Sequence, residues 1–238
     1  MLWKRLLLLI LGALGGFAAA GVLFLSTGNA QATRETPEPS FAVPQERIPL
    51  PASVPGTAMI AQRVSAYDGP FLEDGSDREV FEIASLLVYN SGSKELLTAR
   101  ITLQYPEGEY IFVGDNIPPN SWILLLEQEE KPYRRDDPIA CTGRQTVRLD
   151  EGESAPSILV EDTAFGMRVC NQGGETLRNI CISYKGWLSS PEIYLGVYLG
   201  GITYCTVIPQ LEPGQCISLQ PDHYAPGYSK VVSICGRK

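Results

Sequence analysis

Val88–Thr102 reads VYNSGSKELLTARIT and Val169–Ser183 reads VCNQGGETLRNICIS, so one chain carries nearly the same stretch twice. Aligned without a gap, the two copies share valine, asparagine, glycine, leucine and isoleucine at positions 88, 90, 92, 96 and 101 of the first copy. The similarity resumes after an insertion in the second copy, where PPNSWILLLE at 118–127 resembles EPGQCISLQP at 212–221. Because these matches keep their order along the chain, they predict an internal duplication.

The repeated stretch contains a turn followed by a strand. Asparagine and glycine in the Asn-Ser-Gly segment tolerate positive φ, which favours a turn. In the LLTARITLQY segment that follows, one face would carry Leu97, Ala99, Ile101 and Leu103, and the other would carry mainly polar residues. A period of two is typical of a strand with one buried face.

Short apolar segments recur along the chain with Gly and Pro between them, and no segment after residue 30 keeps a helical period. Short strands at regular spacing indicate a β-sandwich or barrel. We therefore predict a mostly β protein with two tandem immunoglobulin-like sandwiches, at 61–150 and 151–238. The alternative is that the two copies form the halves of one shared sandwich.

Residues 1–27 have the composition of a membrane anchor. Lys4 and Arg5 precede an uncharged run of twenty residues, which as a helix would span roughly 30 Å, the thickness of the hydrocarbon core. The two cations favour a cytoplasmic N-terminus and an extracellular body. A cleavable signal peptide is the alternative, since AQA at 30–32 fits a cleavage pattern. The proline-rich segment 28–60 predicts a semi-rigid extracellular linker.

The overall composition restricts the choice of partners. Lys and Arg number 19 against 27 Asp and Glu, and the formal net charge is −8. Such a surface repels phosphates, and no basic stripe offsets it, so a nucleic-acid partner is not expected. The negative charge suits solubility or the attraction of cations and basic partners.

Six cysteines all fall in the part predicted to be exported, where disulfides persist: Cys141, Cys170, Cys181, Cys205, Cys216 and Cys235. Five of them lie in the second copy, which predicts that disulfides stabilise this copy. Cys205 and Cys216 lie on consecutive predicted strands, so a bond between them is one candidate among the fifteen pairings that six cysteines allow. Free thiols are the alternative, and a metal site is not expected because the chain has no CxxC pair.

Asp222, His223 and Tyr224 lie together in the segment PDHYAPGY, which suggests an acid–base group. A general base needs a nucleophile within reach. Since no GxSxG motif and no recognisable catalytic cysteine occur, we expect a structural loop. The acidic segment LEDGSDRE at 72–79 misses the spacing of a calcium loop and predicts a solvated loop.

EIYLGVYLGGITY at 192–204 is the most suggestive surface, and it falls in the insertion of the second copy. Alternation along a strand would place Tyr194 and Tyr198 on one face with glycines between them. Exposed tyrosines flanked by glycines stack on sugars or anchor protein partners. Tyr194, Tyr198 and Tyr204 are therefore candidate partner-binding residues, and packing across neighbouring strands is the alternative.

The order of apolar strand, asparagine, small-residue turn, apolar strand and proline turn resembles bacterial surface immunoglobulin-like modules of the FxLYD or CARDB-like type. The stretches GGITY, LEPGQ and PDHYAPGYSKVV are also similar to segments of membrane-anchored proteins of Gram-positive, clostridial-type bacteria. The resemblance covers roughly residues 80–238. It implies an immunoglobulin-like fold and a surface location, and it implies no catalytic residues.

Together these features predict a non-catalytic, single-pass membrane protein whose extracellular β-sandwich body binds a protein, a cell-wall component or another copy of itself. We expect no cofactor and no metal. One alternative is an envelope or sporulation assembly component. Another is a small extracellular hydrolase or thiol enzyme, which would need His223 to meet an acid and a Cys or Ser in a pocket.

Overall fold

The computed structural model describes residues 46–148, 157–190 and 193–237, which belong to one compact unit spanning Pro44–Lys238. Its elements are the strands β1 (Ala52–Ser53), β2 (Met59–Phe71), β3 (Arg78–Asn90), β4 (Leu96–Tyr105), β5 (Gly108–Ile117), β6 (Ser121–Leu126), β7 (Ala140–Val147), β8 (Ile158–Asp162), β9 (Met167–Asn171), β10 (Leu177–Ser190), β11 (Ile193–Leu211), β12 (Cys216–Leu219) and β13 (Ser229–Arg237). No helix occurs in these described ranges, so the predicted mostly β class is confirmed.

Several predictions concern segments that the structure does not describe. The membrane anchor at 1–27 and most of the linker at 28–60 lie outside the described residues. Within the described part, no helix has the length and apolar character needed to cross a membrane. The boundary expected after residue 150 falls in the stretch 149–156, which is also outside. The anchor, the linker and the boundary therefore stay predictions.

The first half of the chain, residues 46–148, forms two sets of antiparallel strands that pack face to face. One set has the order β1-β2-β3-β6 and the other has the order β5-β4-β7. Apolar side chains of both sets meet in one cluster, in which Leu86, Ile101 and Phe112 are fully buried. This arrangement is a β-sandwich, because each set covers the apolar face of the other.

The second half, residues 157–237, repeats this pairing. Its strands are ordered β12-β9-β8 in one set and β11-β10-β13 in the other. Met167, Ile182 and Leu211 are fully buried in the cluster between them. Strands β8 to β13 therefore pair with one another in the same pattern as strands β2 to β7, taken in chain order.

The predicted alternation is confirmed along most of β4. Ala99, Ile101 and Leu103 are buried in the first-half core. At the start of the strand, the buried leucine is Leu96 and not the predicted Leu97, which is only partly buried. The difference lies where the pairing of β4 with β7 shifts register, because such a shift re-aims side chains.

The first copy of the repeated asparagine is buried and saturated with hydrogen bonds. Asn90 Nδ2 donates to the carbonyl oxygens of Lys94 at 3.2 Å, Ile117 at 3.3 Å and Pro118 at 2.9 Å. Its Oδ1 accepts the N–H of Gly92 at 3.0 Å. The side chain thus closes the turn after β3 and joins it to the end of β5.

The second copy makes three of these four bonds at the equivalent positions. Asn171 Nδ2 donates to the carbonyl oxygens of Glu175 at 2.8 Å and Leu211 at 3.1 Å. Its Oδ1 accepts the N–H of Gly173 at 2.9 Å. The repeated asparagine is therefore required by the fold, because buried backbone groups need partners.

One seven-stranded sheet runs through both halves in the order β1-β2-β3-β6-β11-β10-β13. The halves join where β6 and β11 pair in parallel, with Ile123 opposite Tyr198. The register between β11 and β10 shifts between Leu199 and Tyr204. Residues 200–203, the β11 bulge, lie opposite the single residue Lys185 of β10, and this bulge lets one strand serve both halves.

The second half contains two disulfides, in keeping with the distribution of cysteines. Cys170 on β9 is bonded to Cys216 on β12. Cys181 on β10 is bonded to Cys205 on β11. The candidate bond between Cys205 and Cys216 is wrong, because β11 and β12 belong to different sheets although they are consecutive in the chain.

Two cysteines are free thiols, one in each half. Cys141 on β7 is buried opposite Leu103, and Cys235 on β13 is exposed. Burial raises the pKa of the Cys141 thiol. Since the thiolate is the reactive form, Cys141 is held unreactive in the core.

Candidate ligand-binding cleft

A buried lysine joins the two halves at the β11 bulge. Lys185 on β10 has 0% exposure. Its Nζ donates to the carbonyl oxygens of Gly201 at 2.6 Å and Ile202 at 2.8 Å. Its third acceptor is the carboxylate of Asp115 on β5, at 3.0 Å. Burial lowers the pKa of Lys185 and the nearby Asp115 opposes that shift, so a matched set of acceptors is what allows this cation to be buried.

A carboxylate on the loop between β2 and β3 reinforces this junction. Glu73 Oε1 accepts the N–H of Gly201 at 2.8 Å and the N–H of Leu126 at 3.2 Å. Burial raises the pKa of Glu73, and these backbone N–H groups oppose the shift. The expectation that 72–79 is a solvated loop is therefore wrong at Glu73, which bridges β11 and β6.

A cleft of about 590 Å³ lies beside this junction, with walls from both halves. Its aromatic rings belong to Tyr67, Trp187, Tyr204, Tyr224 and Tyr228. Its polar side chains belong to Asp68, Asp77, His223 and Ser229. A concave, mainly apolar site with a few convergent polar groups is typical of ligand binding.

The histidine in the cleft is held by both halves. His223 Nδ1 lies 2.6 Å from Asp77 Oδ2, on the loop after β2. Its ring stacks on the Tyr204 ring, with the centroids 4.3 Å apart. In the neutral ring, with Nδ1 donating to the carboxylate, Nε2 is the acceptor nitrogen; Nε2 makes no hydrogen bond to a described residue.

Hydrogen bonds to residues of β8 and β10 hold the loop that carries His223. Asp162 at the end of β8 accepts the Tyr224 hydroxyl at 2.6 Å and the N–H of Gly227 at 3.0 Å. The Tyr184 hydroxyl donates to the carbonyl of Asp222 at 2.6 Å. Burial, together with the hydrogen bond to Asp162, raises the pKa of Tyr224. These bonds make the wall of the cleft preformed.

The rim of the cleft exposes apolar surface. Tyr228 is 71% exposed and Leu188 is 37% exposed. The N–H of Trp187 donates to the carbonyl of Tyr228 at 2.7 Å, which positions the rim on β10. Lys230 Nζ lies 3.9 Å from the centroid of the Trp187 ring, so this ring already contacts a cation of the chain itself. Tyr228 is the most exposed ring of the cleft.

Carboxylates line the cleft. Its lining includes two aspartates and, among the described residues, no lysine or arginine. Burial, followed by the charges of Asp77 and Glu73, raises the pKa of Tyr204 to about 12. Burial, followed by Glu79 and Glu73, raises the pKa of Tyr67 to about 12. Nearby negative charge opposes the ionisation of both phenols, and the same potential attracts cations.

The three predicted partner-binding tyrosines occupy different places. Tyr204 lines the cleft. Tyr198 is 7% exposed and belongs to the core of the first half, where its ring meets Trp187 edge-on at 4.9 Å. The side chain of Tyr194 lies outside the described residues. A partner-binding role for these residues stays a prediction, and Tyr198 is covered by the protein's own first half.

In the sequence, His223 forms a possible acid–base group with its neighbour Asp222. In the structure, the acid that meets His223 is Asp77, 146 residues away in the chain. Trp187 and Tyr228 were not among the predicted site residues. The local signal for Tyr228 was its place in the Pro-rich segment PDHYAPGY, which contains several aromatic residues, whereas Trp187 lies outside that segment.

The described residues contain no group of three His, Cys, Asp or Glu side chains that could hold a metal ion. No protein-family model matches the sequence, and no curated protein matches it. The resemblance to surface immunoglobulin-like modules therefore stays a prediction, and the chemistry of the cleft is the best guide to function.

Proposed function

We propose that this protein is a non-catalytic, membrane-tethered extracellular protein whose two duplicated immunoglobulin-like sandwiches bind a basic segment of a partner protein. One observation carries the proposal, namely a cleft with five aromatic rings, two aspartates and no lysine or arginine in its described lining. Rings and carboxylates together bind Lys and Arg side chains through cation–π contacts and ion pairs. The net charge of −8 steers basic partners toward the surface.

The duplicated architecture is supported by hydrogen bonds as well as by sequence. Asn90 and Asn171 bond the residues two and four positions further on, and both reach the end of the strand that precedes the next turn. The strand pairings of the halves also correspond in chain order. A common origin explains both agreements, because unrelated turns have no reason to use one asparagine in the same way.

An extracellular location is supported by the disulfides, since such bonds persist in oxidising compartments. The membrane tether rests on residues 1–27. We expect the full chain, expressed in a Gram-positive host, to sediment with membranes and to be cleaved from intact cells by added protease. A chain without residues 1–27 should stay in the cytosolic fraction. Protection of the full chain in intact cells would contradict the proposed topology.

The cleft can be tested directly with labelled decapeptides. Full-length protein in detergent micelles would be titrated with a lysine- and arginine-containing peptide and with a matched peptide in which glutamine replaces each basic residue. We expect the basic peptide to bind at least about tenfold more tightly, a difference of roughly 1.4 kcal/mol. Binding should weaken as salt is raised, because the ion pairs are screened.

Two variants and a matched control locate the binding. Tyr228→Ser removes the exposed ring, and Asp68→Asn removes a charge while keeping an oxygen for the N–H of Glu82. Each should weaken the basic peptide about tenfold. Phe165→Ser changes an aromatic residue that is 78% exposed but lies outside the cleft lining, and it should leave affinity unchanged.

Other ligands give distinguishable results. Equal binding of the glutamine peptide would contradict the proposed charge recognition. Saturable binding of N-acetylglucosamine oligomers that Tyr228→Ser abolishes would point to the cell wall instead. Sedimentation as a dimer that Tyr228→Ser converts to a monomer would assign the cleft to a second copy of the chain.

A hydrolase is a second candidate, because His223 meets the acid Asp77 in a cleft that also contains Ser229. Ser229 is 9% exposed and its Oγ accepts the N–H of Ala225 at 3.0 Å. Hydrolysis of p-nitrophenyl acetate would be compared in wild type, His223→Ala and Ser229→Ala. A rate that both changes abolish would favour the hydrolase, whereas equal rates in all three proteins would dismiss it.

A further inference from the structure

Three cysteines lie side by side on the outer face of the second half, one on each of the strands β11, β10 and β13. Cys181 is on the central strand and lies directly opposite Cys235 on β13. Its disulfide partner Cys205 on β11 lies opposite Ser183, two residues along β10 from Cys181. The sulfur of Cys181 therefore has a cysteine on each side.

Both neighbours are within bonding reach of Cys181. Disulfides join residues whose Cα atoms are roughly 4.4–6.8 Å apart, and the Cα atoms of Cys181 and Cys205 are 6.4 Å apart. Directly opposed residues of antiparallel strands are about 4.5–5.5 Å apart, which places Cys235 in the same range. The Cys235 Sγ already lies 3.8 Å from the carbonyl oxygen of Cys181.

These cysteines are also accessible, and unlike the other disulfide they lie beside an exposed free thiol, Cys235. Cys205 and Cys235 are exposed, and Cys181 is partly exposed. In the Cys170–Cys216 bond, Cys170 is 7% exposed although Cys216 is exposed, and the strands β8, β9 and β12 of its sheet carry no further cysteine. Exchange requires an attacking thiolate with access to the disulfide, and only the three-cysteine row provides both.

We propose that Cys181, Cys205 and Cys235 form a thiol–disulfide exchange site in which Cys181 is the shared sulfur. Cys235 loses its proton to solvent, and its thiolate attacks Cys181 Sγ. A Cys181–Cys235 bond forms as the Cys181–Cys205 bond breaks, and the Cys205 thiolate leaves and takes up a proton. The numbers of thiols and disulfides do not change, so no oxidant or reductant is consumed.

The exchange moves both a covalent link and a free thiol across the sheet. In one form β10 is tied to β11 and the thiol is on β13. In the other form β10 is tied to β13 and the thiol on β11 follows Tyr204, which lines the cleft. The inference does not depend on what the cleft binds.

Mass mapping of the full-length wild-type protein tests the exchange. The protein would be incubated without reductant at pH 8.5, where thiolate is more abundant, and then blocked with N-ethylmaleimide and digested under acid. We expect two populations to interconvert within seconds to hours. One has the Cys181–Cys205 bond with label on Cys235, and the other has the Cys181–Cys235 bond with label on Cys205.

Variants and an internal control separate exchange from general scrambling. Cys235→Ser should remove all label from Cys205, and Cys205→Ser refolded with oxidised glutathione should form the Cys181–Cys235 bond. The Cys170–Cys216 bond should stay intact in every sample. A wild-type protein in which Cys205 is never labelled would overturn the proposal, as would scrambling that includes Cys170. The wild-type result decides the question even if a variant fails to fold.

Discussion

The two halves use different side-chain contacts at one equivalent position between paired strands. In the first half, Tyr89 on β3 is opposite Trp122 on β6, and their ring centroids are 4.8 Å apart. In the second half, the aligned pair on β9 and β12 is Cys170 and Cys216, which form a disulfide. The backbone pairing is kept while the contact across it changes from an aromatic pair to a covalent bond.

The cores explain why the halves differ. The first-half core buries the large rings of Tyr105, Tyr110 and Phe112. The second-half core is mainly aliphatic, and Tyr184 is its one fully buried ring among the described residues. A smaller core supplies less hydrophobic free energy, and disulfides commonly compensate in exported domains. In the second half, covalent links therefore accompany a smaller core.

The largest expected effect tests what the halves have in common. Asn90→Ala and Asn171→Ala each leave several buried backbone groups without partners, and each should lower the free energy of unfolding by about 4 kcal/mol. Gln172→Ala, which changes an exposed side chain beside Asn171, should cost less than about 0.5 kcal/mol. Urea unfolding followed by fluorescence measures all three. A small loss for only one asparagine would break the equivalence of the halves.

The next effect tests where the halves differ. Removing the Cys170–Cys216 disulfide with the double change Cys170→Ala and Cys216→Ala should lower the free energy of unfolding by about 3 kcal/mol, because the bond restrains the unfolded chain. Placing cysteines in the first half with Tyr89→Cys and Trp122→Cys should create a new disulfide. Mass mapping under non-reducing conditions would detect it. Free thiols at both positions after oxidative refolding would show that the two sites are not geometrically equivalent.

A third effect concerns the junction between the halves. A Cβ atom on Gly201 would overlap the carbonyl oxygen of Val113, so Gly201→Ala should destabilise the protein by about 2 kcal/mol or more. Gly174→Ala is the control, because its Cβ would meet no atom within 4 Å. Thermal unfolding of both variants measures the difference. Equal melting temperatures would mean that the junction contributes little to stability.

The smallest expected effect is the pH dependence of that junction. Burial raises the pKa of Glu73 above its ordinary value of 4.5, so the folded state holds this proton more tightly than the unfolded state. That contribution to stability is fully present below pH 4.5 and is lost as the pH rises through the raised pKa. Glu73→Gln cannot ionise, so its stability relative to wild type should increase from pH 4 to pH 7. Urea unfolding from pH 4 to pH 7 measures the free energy of unfolding of both proteins. The assignment would be contradicted if the two free energies changed in parallel with pH.

The local features of the fold could be predicted because they depend on neighbours in the chain. The alternation of Ala99, Ile101 and Leu103 follows from strand geometry, which places every second side chain on one face. The turn at Asn-Ser-Gly was predicted for a different reason from the one observed, since Asn90 and Gly92 do not have positive φ and the Asn90 side chain closes the turn by accepting the N–H of Gly92. The enrichment of the second copy in cysteine predicted disulfides there, although not their pairing.

The candidate site could not be predicted in the same way, because its parts come from distant segments. The alternation along β11 predicts which face of the strand carries Tyr198, but it does not predict that the first half covers that face. His223 was visible in the sequence, yet its partner Asp77 comes from the other half. In the sequence, Glu73 is one of several acids in a loop. Its burial depends on Gly201, which lies 128 residues further along the chain.

The sequence by itself determined that this chain forms strands, where its turns fall and which copy carries the disulfides, since backbone geometry and composition act over a few residues. Only the tertiary structure decided that β11 continues a sheet of the first half, which sulfurs meet and where the rings and acids converge into a cleft. The reason is that burial and electrostatic potential depend on every group within a few ångströms, whatever its distance along the chain.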